Sequence, residues 1–412
     1  MVEFRKDIFS LDDNKVFELI EKYGSPLYIY SEKVLRQSCK EMHDLVPNKN
    51  FRISYSAKAN SNLELMKIVH SEDIDSDAMS IGEIYTQELA GFSPEQIFFI
   101  PNNVSAEEMQ YAIDKGILVS VDSLSQLETF GKINRGGKVA IRFNPSKGLG
   151  HSEKVVTAGK KTKFGVEIAK INEVKEILAK YDLQLVGINC HLGSLVMVKE
   201  PYIAGVKEML ELAMEFPGLE VIDFGGGFGV PYKNGEDRLD LENLGNALDK
   251  LLTEFLAKYD NKDVMFRAEP GRYIPGECGV LVGTVTSLKE NYGNLYLGCD
   301  LGFNNLMRPV MYNSYHEIEV VQKNKANEKE TYTIVGNICE SGDILGKDRE
   351  LSKAEIGDLV VAKTAGAYGY SMASNYNQRL RPAEVLIDLD GNDKLMRRRD
   401  TYEDLVSNMI EV

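Results

Sequence analysis

Lys58 stands just beyond an apolar run at 51–56, inside the string Tyr-Ser-Ala-Lys-Ala-Asn. A lysine held at a strand end by apolar neighbours can lose its charge and become an amine nucleophile able to form a Schiff base. A surface lysine flanking a buried strand would give the same string, so the surroundings must decide. Asp223-Phe224-Gly225-Gly226-Gly227-Phe228-Gly229 lets backbone approach a ligand closely and offers unobstructed amides to a phosphate. It is a poor dinucleotide fingerprint, because Pro231 and a polar loop follow where a helix and a spaced acidic residue are required. Glu269-Pro270-Gly271-Arg272 sets a carboxylate and a guanidinium beside a rigid turn, which would also describe an ion pair at a domain junction. His191, in Cys190-His191-Leu192-Gly193-Ser194, follows an apolar strand, where histidines more often pack than ligate. Without a Cys/Asp/His cluster at ligand spacing, no metal is expected.

The elements that must position these residues form a regular series. Strand-like runs fall at 51–56, 74–79, 96–100, 117–121, 139–143, 185–189, 221–224 and 264–268. Between most of them lie stretches of helical period, for example 62–70, 81–90, 106–115 and 171–181. Short buried strands alternating with helices predict a parallel sheet, and eight units predict an α/β fold of the (β/α)8 barrel type, with an open doubly wound sheet as the alternative. Lys58, Asp77, Ser80, Asn102, Asp122, Arg142, Asn144, His191, Gly225 to Gly227 and Glu269 collect at the C-terminal ends of these strands, the face on which barrel enzymes build their sites.

From about Gly276 the helical period fades, and segments at 280–286, 295–298, 318–321, 331–335, 359–362 and 383–387 read as short strands of a β domain. Its turns carry Met307-Arg308-Pro309-Val310-Met311-Tyr312, Cys339-Glu340-Ser341-Gly342-Asp343 and Gly366-Ala367-Tyr368-Gly369-Tyr370. The expected organisation is a barrel over 24–275, with 1–23 and 276–412 forming the β domain.

Composition narrows the function classes. A chain of 412 residues, 43% hydrophobic and 27% charged, is long enough for two globular domains. Its formal net charge of -15 argues against a nucleic-acid or anionic-membrane partner while allowing a local basic pocket for a small anion. No run reaches the apolar length of a membrane span, and the opening Met-Val-Glu-Phe-Arg-Lys-Asp lacks a secretion signal's apolar core, so a cytoplasmic protein is expected. Cys39, Cys190, Cys278, Cys299 and Cys339 show no paired spacing, which predicts reduced thiols and leaves one available for catalysis.

Taken together and in order, Tyr-Ser-Ala-Lys-Ala-Asn, His-Leu-Gly-Ser, Gly-Gly-Gly-Phe-Gly, Glu-Pro-Gly-Arg, Cys-Glu-Ser-Gly-Asp and Gly-Ala-Tyr-Gly-Tyr-Ser-Met-Ala-Ser-Asn-Tyr-Asn resemble the pyridoxal-phosphate decarboxylases of the alanine racemase fold. The resemblance is strongest to the members acting on meso-2,6-diaminopimelate, and it runs from about Gly24 to the C-terminus. It implies a barrel with a C-terminal β-sandwich or β-barrel domain, and a head-to-tail homodimer whose active sites are shared. By resemblance, Lys58 forms the Schiff base with pyridoxal 5'-phosphate, Glu269 holds the pyridine nitrogen protonated, and His191 stacks on the ring. Ser194, Gly225, Gly226, Gly227, Arg272 and Tyr368 surround the cofactor's phosphate, and Pro270 and Gly271 also bind the cofactor. Cys339, donated by the partner subunit, reprotonates Cα. Arg272, Arg308 and Tyr312 face the substrate's distal carboxylate, Glu340 faces its ammonium, and Tyr368 also borders the substrate.

The implied reaction yields L-lysine and carbon dioxide. A decarboxylase of another basic amino acid such as D-lysine or ornithine, a racemase, and a non-catalytic pyridoxal-phosphate binder are the other readings; the β domain and Cys339-Glu340 count against the last. Two features depart from the family pattern: Leu195 stands where glutamine is common, and the loop at 148–165 is of a variant Gly-His-Ser type, expected to act as a lid.

Overall fold

The computed structural model describes residues 1–145, 159, 162–325 and 327–410, with backbone alone at 149–150. The chain divides into two compact units, one comprising Met1–Gln37, Pro231–Glu236 and Ile274–Val412, the other Ser38–Val230 and Asp237–Tyr273.

In the second unit eight parallel strands close into a ring: β1 Phe51–Ser56, β2 Asp75–Ala78, β3 Ile97–Phe99, β4 Leu118–Val121, β5 Lys138–Asn144, β6 Gln184–Asn189, β7 Val221–Gly226 and β8 Met265–Glu269. Each pairs with the next, and β8 returns to β1, Phe266 beside Phe51. The barrel expected from the sequence is thus closed rather than open. Phe98 packs with Ile100, Ala140 and Val221, while Phe143, Phe224 and Phe266 are buried on the strands' other face, Phe266 against Phe255 of the helix Leu241–Lys258. Phe224 and Phe266 stack across β7 and β8 with centroids 6.0 Å apart. Burying each ring contributes roughly 1.5–3 kcal/mol.

The strand-to-helix turns end on capping side chains. Asn62, Ser80, Ser105 and Ser123 each accept a first-turn amide, so that the helices Leu63–Ser71, Ile81–Ala90, Ala106–Asp114 and Leu124–Ile133 begin where the loops leave the strand ends. β2 reads Asp-Ser-Asp-Ala and is nevertheless fully buried. It is tolerated because most of its polar groups are bonded, Asp77 Oδ1 being the exception: Arg52 grips both oxygens of Asp75 at 3.0 Å, and Gln87 reaches Ser76 Oγ at 2.8 Å and the Asp77 carbonyl at 2.6 Å.

The first unit is built on a nine-stranded sheet in which Gly279–Asn291 is the hub. It pairs with Leu27–Ser31, Asn294–Cys299 and Leu359–Ala362, and Leu27–Ser31 pairs in turn with Ala383–Ile387. The six strands expected here are present, and three more were not anticipated: Leu27–Ser31, Ile344–Ser352 and Asp393–Arg397. The boundary expected at residue 24 therefore differs from the observed division after Gln37, because Leu27–Ser31 finds its backbone partners in this sheet. Among the described residues no helix is long and apolar enough to cross a membrane.

Candidate active site

The barrel strands deliver a dense group of ionisable side chains to their C-terminal ends. Lys58 sits on a single 3-10 turn, Ala57–Ala59, that follows β1, and its ammonium acts electrostatically on Asp77, Glu83, His191 and Glu269. Glu269 ends β8 and is 5% exposed. Its Oε1 is buried without a hydrogen-bond partner. Burial first, then the neighbouring Asp223 and Asp77 carboxylates, push its pKa well above the ordinary value, against the pull of Lys58 and Arg142. Burial likewise raises Asp77 to about 7 and Asp223 to about 6. Ser56 ties β1 to both neighbours, its hydroxyl lying 3.1 Å from Asp77 Oδ2 and 3.3 Å from the Glu269 carbonyl oxygen.

His191 follows β6. Its Nδ1 lies 4.0 Å from Glu269 Oε2 and accepts the Gly226 amide at 3.1 Å. An accepting Nδ1 carries no proton, so this is a neutral imidazole with its hydrogen on Nε2 rather than half of an ion pair. Burial and the positive charges of Lys58 and Arg142 agree, holding its pKa well below the usual histidine value. Arg142, itself buried, lies over the Phe164 ring at 4.5 Å.

The glycine run ends β7. A Cβ at Gly226 would stand 1.8 Å from the Glu269 carbonyl oxygen, and one at Gly225 2.4 Å from the Cys190 carbonyl oxygen, so close approach of neighbouring backbone requires glycine at both. The expectation of unobstructed amides needs correction, because the Gly225 amide donates to Asp223 Oδ1 at 2.7 Å and the Gly226 amide to His191. Arg272, beyond the buried Pro270 and Gly271, donates to Ser194 Oγ at 2.9 Å. Ser194 Oγ thus accepts from a cation, and its own hydroxyl hydrogen can still donate. Asp223, Glu83 and the orphaned oxygens of Asp77 and Asp223 received no role from the sequence. The one available signal was an aspartate two residues ahead of a glycine, the pattern of a side-chain-closed turn.

The remaining candidates belong to the other unit. Cys339 is exposed, its amide donating to Asn377 Oδ1 at 2.8 Å, and Glu340 accepts the Tyr376 hydroxyl at 2.6 Å. Cys339 helps line a cavity of about 560 Å³ with Asn304, Asn337, Arg379, Arg399 and Tyr402. Arg308 is buried, bonded to His316 at 2.7 Å and lying 4.5 Å over the Tyr232 ring. Tyr312 closes the short helix Arg308–Tyr312, and Tyr368 takes a left-handed φ of 56°. Much of the 148–165 loop lies outside the described residues. No group of three or more metal-ligating side chains occurs among the described residues.

Comparison with known proteins places this geometry in a family. The family model described as "Pyridoxal-dependent decarboxylase, pyridoxal binding domain" matches residues 32–276. A diaminopimelate decarboxylase of Methanothermobacter thermautotrophicus is 39% identical over 94% of this chain and 92% of its own length. The corresponding protein of Archaeoglobus fulgidus is 37% identical over 97% and 96%. The crystal structure of a diaminopimelate decarboxylase from M. jannaschii in co-complex with L-lysine has a TM-score of 0.88 at 32% identity, covering 100% of this chain and 98% of that one. The chain with Lys58, His191 and Glu269 gathered at the barrel's strand ends belongs to the pyridoxal-dependent decarboxylases.

Proposed function

We propose that this chain decarboxylates meso-2,6-diaminopimelate to L-lysine and carbon dioxide using pyridoxal 5'-phosphate. The observation that carries the substrate assignment is near-full-length similarity to relatives bearing that activity in their names. The cofactor is supported by the site itself: a buried carboxyl with an orphaned oxygen, a lysine just beyond the end of the neighbouring strand that acts on it electrostatically, and an arginine and serine paired beside a glycine turn. An orphaned buried carboxyl oxygen is costly unless a ligand supplies its partner.

When bound, the cofactor supplies the electron sink that lets the α-carboxylate leave. Lys58 would hold it through its amine and exchange with the substrate amine. Glu269, ionised, would accept the ring nitrogen's N–H at Oε1 and so keep that nitrogen protonated, the cationic partner offsetting the burial that otherwise disfavours the carboxylate. His191, neutral and fixed by the Gly226 amide, would cover one face of the ring and exclude water. Ser194 and Arg272 would hold the phosphate, with Gly227 and Tyr368 beside it. Cys339 and Glu340 would be contributed by the partner subunit of a homodimer, the thiol returning a proton to Cα and the carboxylate receiving the distal ammonium. Arg308 and Tyr312 would face the distal carboxylate. The cytoplasm is the proposed compartment, in keeping with five free cysteines.

The test is to supply the purified, pyridoxal-phosphate-loaded chain with meso-diaminopimelate and follow carbon dioxide and L-lysine. Equimolar release supports the proposal. Gas from ornithine or D-lysine instead, or none from any of the three, would overturn the substrate assignment.

A further inference from the structure

The Gly225–Gly226 peptide unit is held from three sides. Its carbonyl, on Gly225, accepts the Tyr202 hydroxyl at 3.1 Å. Its N–H, on Gly226, donates to His191 Nδ1 at 3.1 Å. One residue earlier, the Gly225 amide is closed onto Asp223 Oδ1 at 2.7 Å, which fixes Gly225 in the left-handed region at φ +70°. Asp223 and Tyr202 are 0% and 1% exposed. We infer that Asp223 and Tyr202 are positioning residues for His191, acting through the orientation of this peptide to hold the imidazole in the Nε2-protonated form.

A peptide presents either its N–H or its C=O to a neighbour. With the N–H toward His191, Nδ1 must be the bare nitrogen; were the unit to flip, the Gly225 oxygen would face the ring and demand a proton on Nδ1. Asp223 blocks the flip by tying down the preceding amide, and Tyr202 blocks it by bonding the carbonyl on the side away from the histidine. Tyr202 is itself anchored in the helix Lys199–Ala213, its ring 5.1 Å from Phe228. A carboxylate bonded to a backbone amide makes one of the stronger neutral-to-charged hydrogen bonds, so losing it removes about a tenfold preference between the two orientations. A purely structural role, closing a turn for stability, would involve the same contacts but would leave the ring's tautomer unmoved.

This inference rests on the proposed function only for what His191 faces; the tautomer is a property of the protein before substrate arrives. The experiment is therefore long-range 1H–15N correlation of the full-length chain labelled at histidine nitrogens, recorded at neutral pH before and after loading with pyridoxal phosphate. His191 is assigned by the signal lost in His191→Asn. The wild type is expected to show an unprotonated Nδ1 and a protonated Nε2. Asp223→Asn retains an oxygen acceptor and should keep this pattern, whereas Asp223→Ala and Tyr202→Phe should each raise the Nδ1-protonated population by up to about tenfold. Tyr202→Phe deletes a single oxygen and keeps the packing, so it serves if Asp223→Ala does not fold. A protonated Nδ1 in the wild type overturns the inference, as does a wild-type pattern in folded Tyr202→Phe and Asp223→Ala. Failure to decarboxylate diaminopimelate, with the tautomer behaving as expected, would instead count against the proposed substrate alone.

Discussion

Replacing Gly226 by alanine would put a methyl group 1.8 Å from the Glu269 carbonyl oxygen, where real Cβ contacts do not come within 3.0 Å. Gly226 and Glu269 are register partners on β7 and β8, so the obstacle is backbone rather than a side chain that can turn away. Relief requires the two strand ends to part by about 1.2 Å, the difference between those two distances. Such a shift would carry the Gly226 amide, now 3.1 Å from His191 Nδ1, out of good hydrogen-bond geometry, and would move Glu269 itself. Overpacking of this kind costs about 1–3 kcal/mol, which for a domain of this size lowers the melting temperature by roughly 2–12 °C. Gly82 provides the control, since a Cβ there would meet nothing closer than Ser80 Oγ at 3.7 Å and the residue lies in the helix Ile81–Ala90. Gly82→Ala should be neutral or more stable by up to about 1 kcal/mol. The assay is calorimetric melting of both variants, with pyridoxal-phosphate titration followed by absorbance. A Gly226→Ala protein that melts and loads like the wild type would refute the close β7–β8 packing on which the site's geometry depends.

Three further outcomes follow from the same side chains. Asp77, raised to about 7 by burial, holds a proton in the folded state that an unfolded carboxyl has already lost, so its contribution to stability is fully present at low pH and disappears as pH rises toward about 7. Urea midpoints of the cofactor-free chain should therefore fall more between about pH 5 and about pH 7 in the wild type than in Asp77→Asn; parallel curves would contradict this. Glu269→Gln cannot hold the ring proton and should lose about 10²-fold or more in turnover while still absorbing in the visible, whereas unchanged turnover would remove Glu269 from the chemistry. Lys58→Ala and Cys339→Ala, each inactive alone, should recover about one quarter of wild-type activity when mixed 1:1 and re-paired at random if the sites are shared between subunits, and none if each site is complete within one chain.

The parts of the fold legible in the sequence are those whose hydrogen bonds are local or whose pattern repeats. All eight barrel strands fall within two residues of the expected ends or closer, even the polar β2, because alternation with capped helices announces them. Leu27–Ser31 has as clear a β composition as any strand in the chain, yet its partners are Gly279–Asn291 and Ala383–Ile387, far along the sequence, and nothing near it indicates which sheet it joins. Ile344–Ser352 and Asp393–Arg397 were missed for another reason: they carry Lys347, Asp348 and Arg349, or Asp393 and Lys394, which suit exposed strands but not an apolar pattern.

The site divides in the same way. Residue types at strand ends located Lys58, His191 and Glu269, since a barrel sends every strand end to one face whatever the side chains do. What residue types could not supply is the direction of the bonds between them. Gly225 and Gly226 read as amides waiting for an anion, whereas Asp223 and His191 already accept from both. Gly225 and Gly226 are glycine because the Cys190 and Glu269 carbonyl oxygens leave no room for a Cβ, and their N–H groups go to Asp223 and His191. In the proposed function, anion holding is therefore assigned to Arg272 and the hydroxyl of Ser194, which are bonded to each other. A glycine-rich motif at a strand end thus marks where backbone is crowded, and only the partner of each amide distinguishes a phosphate cradle from a scaffold for the side chain beside it.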